Sequence, residues 1–128
     1  MVRFFLDTSC LIAVYAKHSP SAIAIWFGMN AVKLTSEYVL KELRRALLDE
    51  DARLERVNDV VDEVRRKCTV VKITPQQAKG IALEDKSDIP IVAGARACNA
   101  VLLTLDRKLH AQARKYVKTA FPEELAKT

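Results

Sequence analysis

Four short apolar runs constrain this chain most: residues 2–6, 32–34, 70–73 and 101–103, dominated by Val, Ile, Leu and Phe and too short to be helices. Runs without regular polar alternation mark strands covered on both faces, whereas an alternating run would leave one face wet. Between them the period becomes helical. Val39, Leu43, Ala46 and Leu47 form one stripe. Leu54, Val57, Val60, Val61, Val64 and Cys68 form a longer one, with Arg53, Glu55, Asp59, Asp62 and Arg66 on its opposite face. Pro75 suits the first turn of a further helix. Ser87 suits the N-cap of a helix entered through Asp88-Ile89-Pro90-Ile91. That helix carries Ala93, Gly94, Ala95 and Ala97, small enough for close approach to a sheet. Val117 marks a short edge strand, and Pro122-Glu123-Glu124-Leu125 a last turn. Strands alternating with helices predict an α/β fold with a parallel sheet and right-handed crossovers.

Nothing in the chain suggests a linker or repeat, so residues 1–128 are expected to form a single domain, and 50% hydrophobic residues suffice for its core. No apolar stretch is long enough for a membrane span, and no basic region precedes a long apolar segment at the N-terminus. Cys10, Cys68 and Cys98 are odd in number and lack zinc-ligand spacing, as expected of reduced cysteines in a cytoplasmic protein. His18 and His110 have no partner in the sequence pattern that would suggest histidine catalysis.

Asp7 closes the first apolar run and is followed at once by the helix-like Thr8-Ser9-Cys10-Leu11-Ile12. Asp106 repeats that layout after Ala100-Val101-Leu102-Leu103-Thr104. In parallel sheets the site lies beyond the carboxyl ends of the strands, where the strand order reverses. If their two strands are central neighbours, Asp7 and Asp106 face each other there. Glu42 borders its helix's apolar stripe, and Asp88 lies in a helix's first turn. Singly, each acid has a plainer role as a cap, a dipole partner or a solvated charge. Together they would repel one another, and a hard divalent cation held by oxygen ligands is the simplest compensation. The net charge is +5; without these four acids, 21 basic residues face 12 acidic ones, a balance of +9. A cationic body around an acidic spot suits a polyanionic partner.

Four blocks carry a family resemblance: Phe5-Leu6-Asp7-Thr8-Ser9, Ser36-Glu37-Tyr38-Val39-Leu40-Lys41-Glu42-Leu43, Asp88-Ile89-Pro90-Ile91-Val92-Ala93-Gly94-Ala95 and Leu103-Thr104-Leu105-Asp106. In this order and spacing the chain resembles PIN-domain ribonucleases, and most of all the VapC toxins of VapBC toxin–antitoxin pairs. The resemblance implies a three-layer α/β/α fold whose five-stranded parallel sheet runs in order 3-2-1-4-5, with helices on both faces. It departs from the family's pattern after Asp106, where Arg107, Lys108, Leu109 and His110 stand in place of a further acid. One or two ions are therefore both open, with Asp85 a further carboxylate near Asp88.

The implied activity is metal-dependent cleavage of single-stranded or structured RNA. Mg²⁺ or Mn²⁺, held by Asp7 and Asp106 and completed by Glu42 and Asp88, would activate the attacking water and stabilise the leaving oxygen. Thr8 and Thr104 are placed to orient groups at the site, and equally to serve as ordinary turn and strand hydroxyls. Lys41, Arg44, Arg45, Lys86, Arg107 and Lys108 are the candidate grips on the RNA backbone. The implied partners are a second copy of the chain in a homodimer and a VapB-like antitoxin, with Ile23, Trp26 and Phe27 as core or docking residues. A receiver-like domain would need paired acids after the first strand, where Asp7 is alone. A dehalogenase-like phosphatase would need an acid where Ser9 stands. The alternative from another class is a catalytically silent PIN-like module that binds RNA or protein.

Overall fold

The structure, a computed structural model, describes residues 2–28, 30–50 and 52–126. The single-domain expectation also takes in residues 1, 29, 51, 127 and 128, which lie outside the described ones. Five strands, β1 (Arg3–Leu6), β2 (Val32–Ser36), β3 (Thr69–Val71), β4 (Val101–Leu103) and β5 (Thr119–Ala120), form one parallel sheet in the order β3-β2-β1-β4-β5. Seven α-helices surround it: α1 (Thr8–Tyr15), α2 (Pro20–Gly28), α3 (Glu37–Asp49), α4 (Leu54–Lys67), α5 (Ile89–Ala97), α6 (Arg107–Ala113) and α7 (Pro122–Ala126). The expected α/β architecture and strand order are both present.

β1 is central because it is apolar towards both layers. Phe4, Phe5 and Leu6 are successively buried, so side chains of both pleat directions are covered. Phe5 pairs with Leu34 on one side and Leu102 on the other. The strand order steps one way from β1 to β2 and β3, and the other way to β4 and β5. Right-handed crossovers therefore put α1–α4 on one face and α5 and α6 on the other. α3 buries Val39, Leu40, Leu43 and Leu47; α4 buries Val57, Val60 and Val64. Full burial of such a side chain contributes roughly 1.5–3 kcal/mol. Gly94 lets α5 lie directly on β1, since a Cβ there would come within 2.5 Å of Phe5 Cζ.

Local chemistry differs from the sequence reading in four places. Pro75 opens only a 3-10 turn (Pro75–Ala78), closed by a reciprocal Thr74–Gln77 capping box. Ser87 caps nothing. Asp85 is the capping side chain, accepting from the Ser87 amide at 2.9 Å and its hydroxyl at 2.6 Å, at the start of the 3-10 turn Lys86–Asp88. Leu54 stays 55% exposed because it is the first residue of α4, off the packed length of its stripe. Val117 precedes the edge strand Thr119–Ala120, because its amide donates to the Ala113 carbonyl at 3.0 Å in the turn after α6. Trp26, read as core or docking, is core: it is fully buried, its indole N–H donating to the Tyr15 hydroxyl at 2.7 Å, while its neighbour Phe27 is exposed. No helix among the described residues is long and apolar enough to cross a membrane.

Candidate active site at the carboxyl edge of the sheet

Asp7 follows β1 directly and serves as N-cap of α1, its Oδ1 accepting from the Cys10 amide at 3.1 Å. The same oxygen accepts from the Ser9 hydroxyl at 2.6 Å, and Oδ2 accepts from the Thr104 hydroxyl at 2.5 Å. Asp7 is buried, and burial pushes its carboxyl above the usual range although all these donors favour the charged form. The capping role and a role at the site are therefore compatible: one oxygen caps, while the second is held by a hydroxyl from the neighbouring strand.

Thr104, fully buried just past β4, also accepts from the Asp106 amide at 3.0 Å. Asp106 is exposed and caps α6, its Oδ1 accepting from the amides of Lys108 and Leu109 at 3.0 and 3.1 Å. The pairing of β1 with β4 thus sets Asp7 and Asp106 on one rim. From the other neighbour, β2, the chain enters α3 through the Ser36 cap. One turn along, half-buried Glu42 accepts from the Thr8 hydroxyl at 2.9 Å, fastening α3 to the start of α1.

Asp88 is the N-cap residue of α5 but makes no side-chain capping bond. Its carboxyl is pushed up to about 6, first by burial and then by the negative charges of Asp85, Asp106, Asp7 and Glu42. All four acids named from the sequence therefore share one electrostatic neighbourhood, with Asp85 at its margin. Asp85 itself is exposed, and its hydrogen bonds from Ser87 hold its carboxyl below the usual range.

The donor chemistry can be set against a hard divalent cation. The donors are all carboxylate oxygens, and among the described residues the ion pairs are Arg65–Glu37 and Lys108–Glu84, neither of which reaches these four. Clustered carboxylates outside any ion pair fit a hard divalent cation by charge and by ligand type. Their spacing is open: no three Asp, Glu, His or Cys side chains among the described residues are arranged to hold one ion as they stand.

Two residues at the site were not singled out from the sequence. Ser9 donates to Asp7 and accepts from the Leu105 amide at 3.0 Å, so it ties the turn after β4 to the first acid. A hydroxyl two residues beyond an N-cap Asp was its only sequence signal. Tyr38, four residues before Glu42 on α3, donates to the Ser87 carbonyl at 2.7 Å and clamps the segment carrying Asp88. Of the basic candidates, Lys41, Arg45 and Lys86 are exposed. Arg44 donates to Asn58 at 2.7 Å, Lys108 pairs with Glu84 at 2.7 Å, and Arg107 lies 5.9 Å from the Phe121 ring centroid.

The PIN domain family matches residues 4–116. The chain belongs to the PIN domain family. No curated protein matches it. Among solved structures, this PIN domain is similar to VapBC2 from Rickettsia felis bound to a DNA fragment from their promoter: 16% identity, 94% of this chain and 98% of that one, TM-score 0.75. It is similar also to VapBC-1 from nontypeable Haemophilus influenzae, at 17% identity, 95% and 99% coverage and TM-score 0.71. A third is VapC20 from Mycobacterium tuberculosis, a sarcin-ricin loop cleaving toxin, at 19% identity, 84% and 93% coverage and TM-score 0.67. At these identities the likeness carries the PIN fold.

Proposed function

We propose that this PIN domain is a metal-dependent endoribonuclease of the VapC type, the toxin of a toxin–antitoxin pair. The observation that supports it most is the set of four carboxylates at the carboxyl edge of the sheet, outside any ion pair among the described residues, around an Asp88 pushed up to about 6. Asp7, Asp106, Asp88 and Glu42 are the proposed ligands of Mg²⁺ or Mn²⁺. The ion would neutralise the scissile phosphate, acidify the attacking water and stabilise the leaving oxygen. The chain's own contribution is positional. Ser9 and Thr104 hold the Asp7 carboxylate in one orientation, and Thr8 holds Glu42. Tyr38 fixes the approach to Asp88. Lys41, Arg44, Arg45, Lys86, Arg107 and Lys108 supply the cationic surround for the RNA backbone. Lys108 can do so because exposed pairs such as its own with Glu84 are weak.

The VapBC neighbours support a VapB-like antitoxin as partner, and a homodimer is part of the same proposal. The three free cysteines suit a reducing compartment, the cytoplasm. Incubation of the protein with single-stranded RNA and Mg²⁺ or Mn²⁺ tests the reading: the expected products carry a 5′-phosphate and a 3′-hydroxyl. Cleavage that survives excess chelator, or a 2′,3′-cyclic phosphate product, contradicts it. The open spacing of the carboxylates favours a second reading, a silent module that binds RNA or protein without cutting. Metal-dependent turnover of RNA excludes that alternative.

A further inference from the structure

Beside the acidic rim lies a cavity of about 460 Å³ between the first turn of α3, the chain leaving β3, the turn Pro75–Ala78 and the start of α5. Ile73, Pro75, Ala78, Pro90 and Tyr38 give it mainly apolar walls, and Lys41 and Lys72 bring positive charge to it. Sequence reasoning named Lys41 but not Lys72, and of the wall residues the proposed chemistry uses only Tyr38. Glu37 also borders the cavity, but its two carboxylate oxygens each take a 2.8 Å hydrogen bond from Arg65, so its charge is compensated. Lys41 and Lys72 have no ion-pair partner among the described residues.

The cavity shares two helices with the carboxylates: α3, which carries Glu42, and α5, which Asp88 precedes. Tyr38 and Glu42 stand four apart on α3 and so share one face of the helix. Pro90 lies two residues beyond Asp88, whose approach Tyr38 clamps through the Ser87 carbonyl. A nucleic-acid strand whose phosphate reaches the acids would therefore place its next unit at this cavity.

We propose that the cavity is a nucleotide subsite. It takes one unstacked base of a single-stranded RNA substrate among Tyr38, Ile73, Ala78 and Pro90, with the adjoining phosphate on Lys41 and Lys72. The size suits a small-molecule-sized group. Apolar walls beside paired cations match the two halves of a nucleotide, and single-stranded RNA can splay its bases into such a pocket. A basic peptide fits the cavity poorly, because two lysines outside any ion pair repel it. The proposal rests on the ribonuclease reading for its substrate, but it makes a claim of its own about binding.

The test measures binding without turnover. Fluorescence anisotropy in chelator follows a labelled, mixed-sequence single-stranded oligoribonucleotide and its abasic counterpart. Ala78→Phe fills the cavity at a residue distant from the acids in sequence. It is expected to weaken the intact oligomer about tenfold, the scale of one lost base contact, and to leave the abasic one unchanged. Lys72→Ala is expected to weaken both. Titrating the unaltered protein with the intact oligomer should shift the amide resonances of Ile73, Thr74 and Ala78, a readout that needs no variant to fold. Equal affinity of the protein for both oligomers, or amide shifts produced only by an antitoxin peptide, overturns the subsite. Metal-dependent RNA cleavage alongside base-independent binding removes the subsite and keeps the ribonuclease. Base-dependent binding without metal-dependent cleavage does the reverse.

Discussion

The hydroxyl of Thr104 donates to Asp7 Oδ2 across 97 residues of chain, and this bond joins the ends of two adjacent strands. Because the Thr104 hydroxyl oxygen also accepts from the Asp106 amide, one buried side chain sets the position of two of the proposed ligands. Thr104→Val keeps the shape and removes the donor. It is expected to lower stability by about 1–3 kcal/mol in urea unfolding, since the buried Asp7 carboxylate and the part-buried Asp106 amide each lose a partner. It should also weaken Mn²⁺ binding by calorimetry by about 10–100-fold, the usual effect of losing a group that orients a ligand. Unchanged metal affinity in a folded Thr104→Val protein would separate Thr104 from the site.

Asp7→Asn retains a carbonyl oxygen that can still cap α1 through the Cys10 amide. The fold should therefore survive, as judged by circular dichroism. Mg²⁺- or Mn²⁺-dependent RNA cleavage should fall by about a hundredfold or more, beyond the effect of an outer-shell change. Substantial metal-dependent cleavage by this variant would remove Asp7 from the proposed ligand set.

Asp88 gives a pH signature of known sign. Its folded carboxyl titrates at about 6, above the 3.8 of an unperturbed aspartate, so between those values the native chain holds a proton that the unfolded chain releases. Its contribution to stability is full below about pH 4 and is lost as pH rises through 6. Metal-free protein is therefore expected to gain less thermal stability from Asp88 at pH 7 than at pH 5. Asp88→Asn should flatten that slope and raise the metal-free melting temperature at pH 7. Added Mn²⁺ should stabilise the unaltered protein more at pH 7 than at pH 5, where protons compete for the same oxygens. Scanning calorimetry at the two pH values checks all three. Identical slopes in the two proteins would mean that Asp88 is not the group responsible.

Gly94→Ala tests how closely α5 lies on β1. The added methyl would sit 2.5 Å from the Phe5 ring, which is fully buried and cannot swing away. A loss of about 1–3 kcal/mol is expected from thermal or urea melts, as for other overpacked cores. A neutral result would show that the helix can move outward from the central strand.

Phe27 is the exposed apolar group at the end of α2, 56% accessible, with Lys67 Nζ 4.6 Å from its ring centroid. Light scattering should give twice the 14.4 kDa of one chain for the proposed homodimer. Phe27→Asp should weaken that association or antitoxin binding while leaving metal affinity unchanged. A mass of one chain for the unaltered protein rejects the dimer.

The strands and the rim were legible because they depend on local signals. Residues 2–6 and 101–103 are apolar throughout most of their length, and Asp7 and Asp106 stand immediately beyond strand ends. The switch in strand order then places them side by side. What was missed depends on tertiary contact. Ser9 matters because the Leu105 amide, 96 residues away, reaches its hydroxyl, and Tyr38 because its phenol meets the Ser87 carbonyl. Ser87 caps no helix because its amide and hydroxyl are both taken by Asp85, which caps the 3-10 turn ahead of α5. Pro75 was compatible with a longer helix, but Gly80 at φ 85° bends the chain a few residues later.

The central place of β1 also dictates when the site comes into being. In chain order β1 precedes the other four strands of the sheet, and β4, which covers its second edge and carries Thr104 behind it, comes after β2 and β3. A growing chain that has not reached residue 104 leaves β1 with one open edge and Asp7 without the Thr104 hydroxyl. The hydroxyl that orients the first acid is thus contributed late, so a nascent or prematurely ended product would lack an ordered rim. The order of the rim is therefore a property of the whole sheet and not of the segment that carries the first acid.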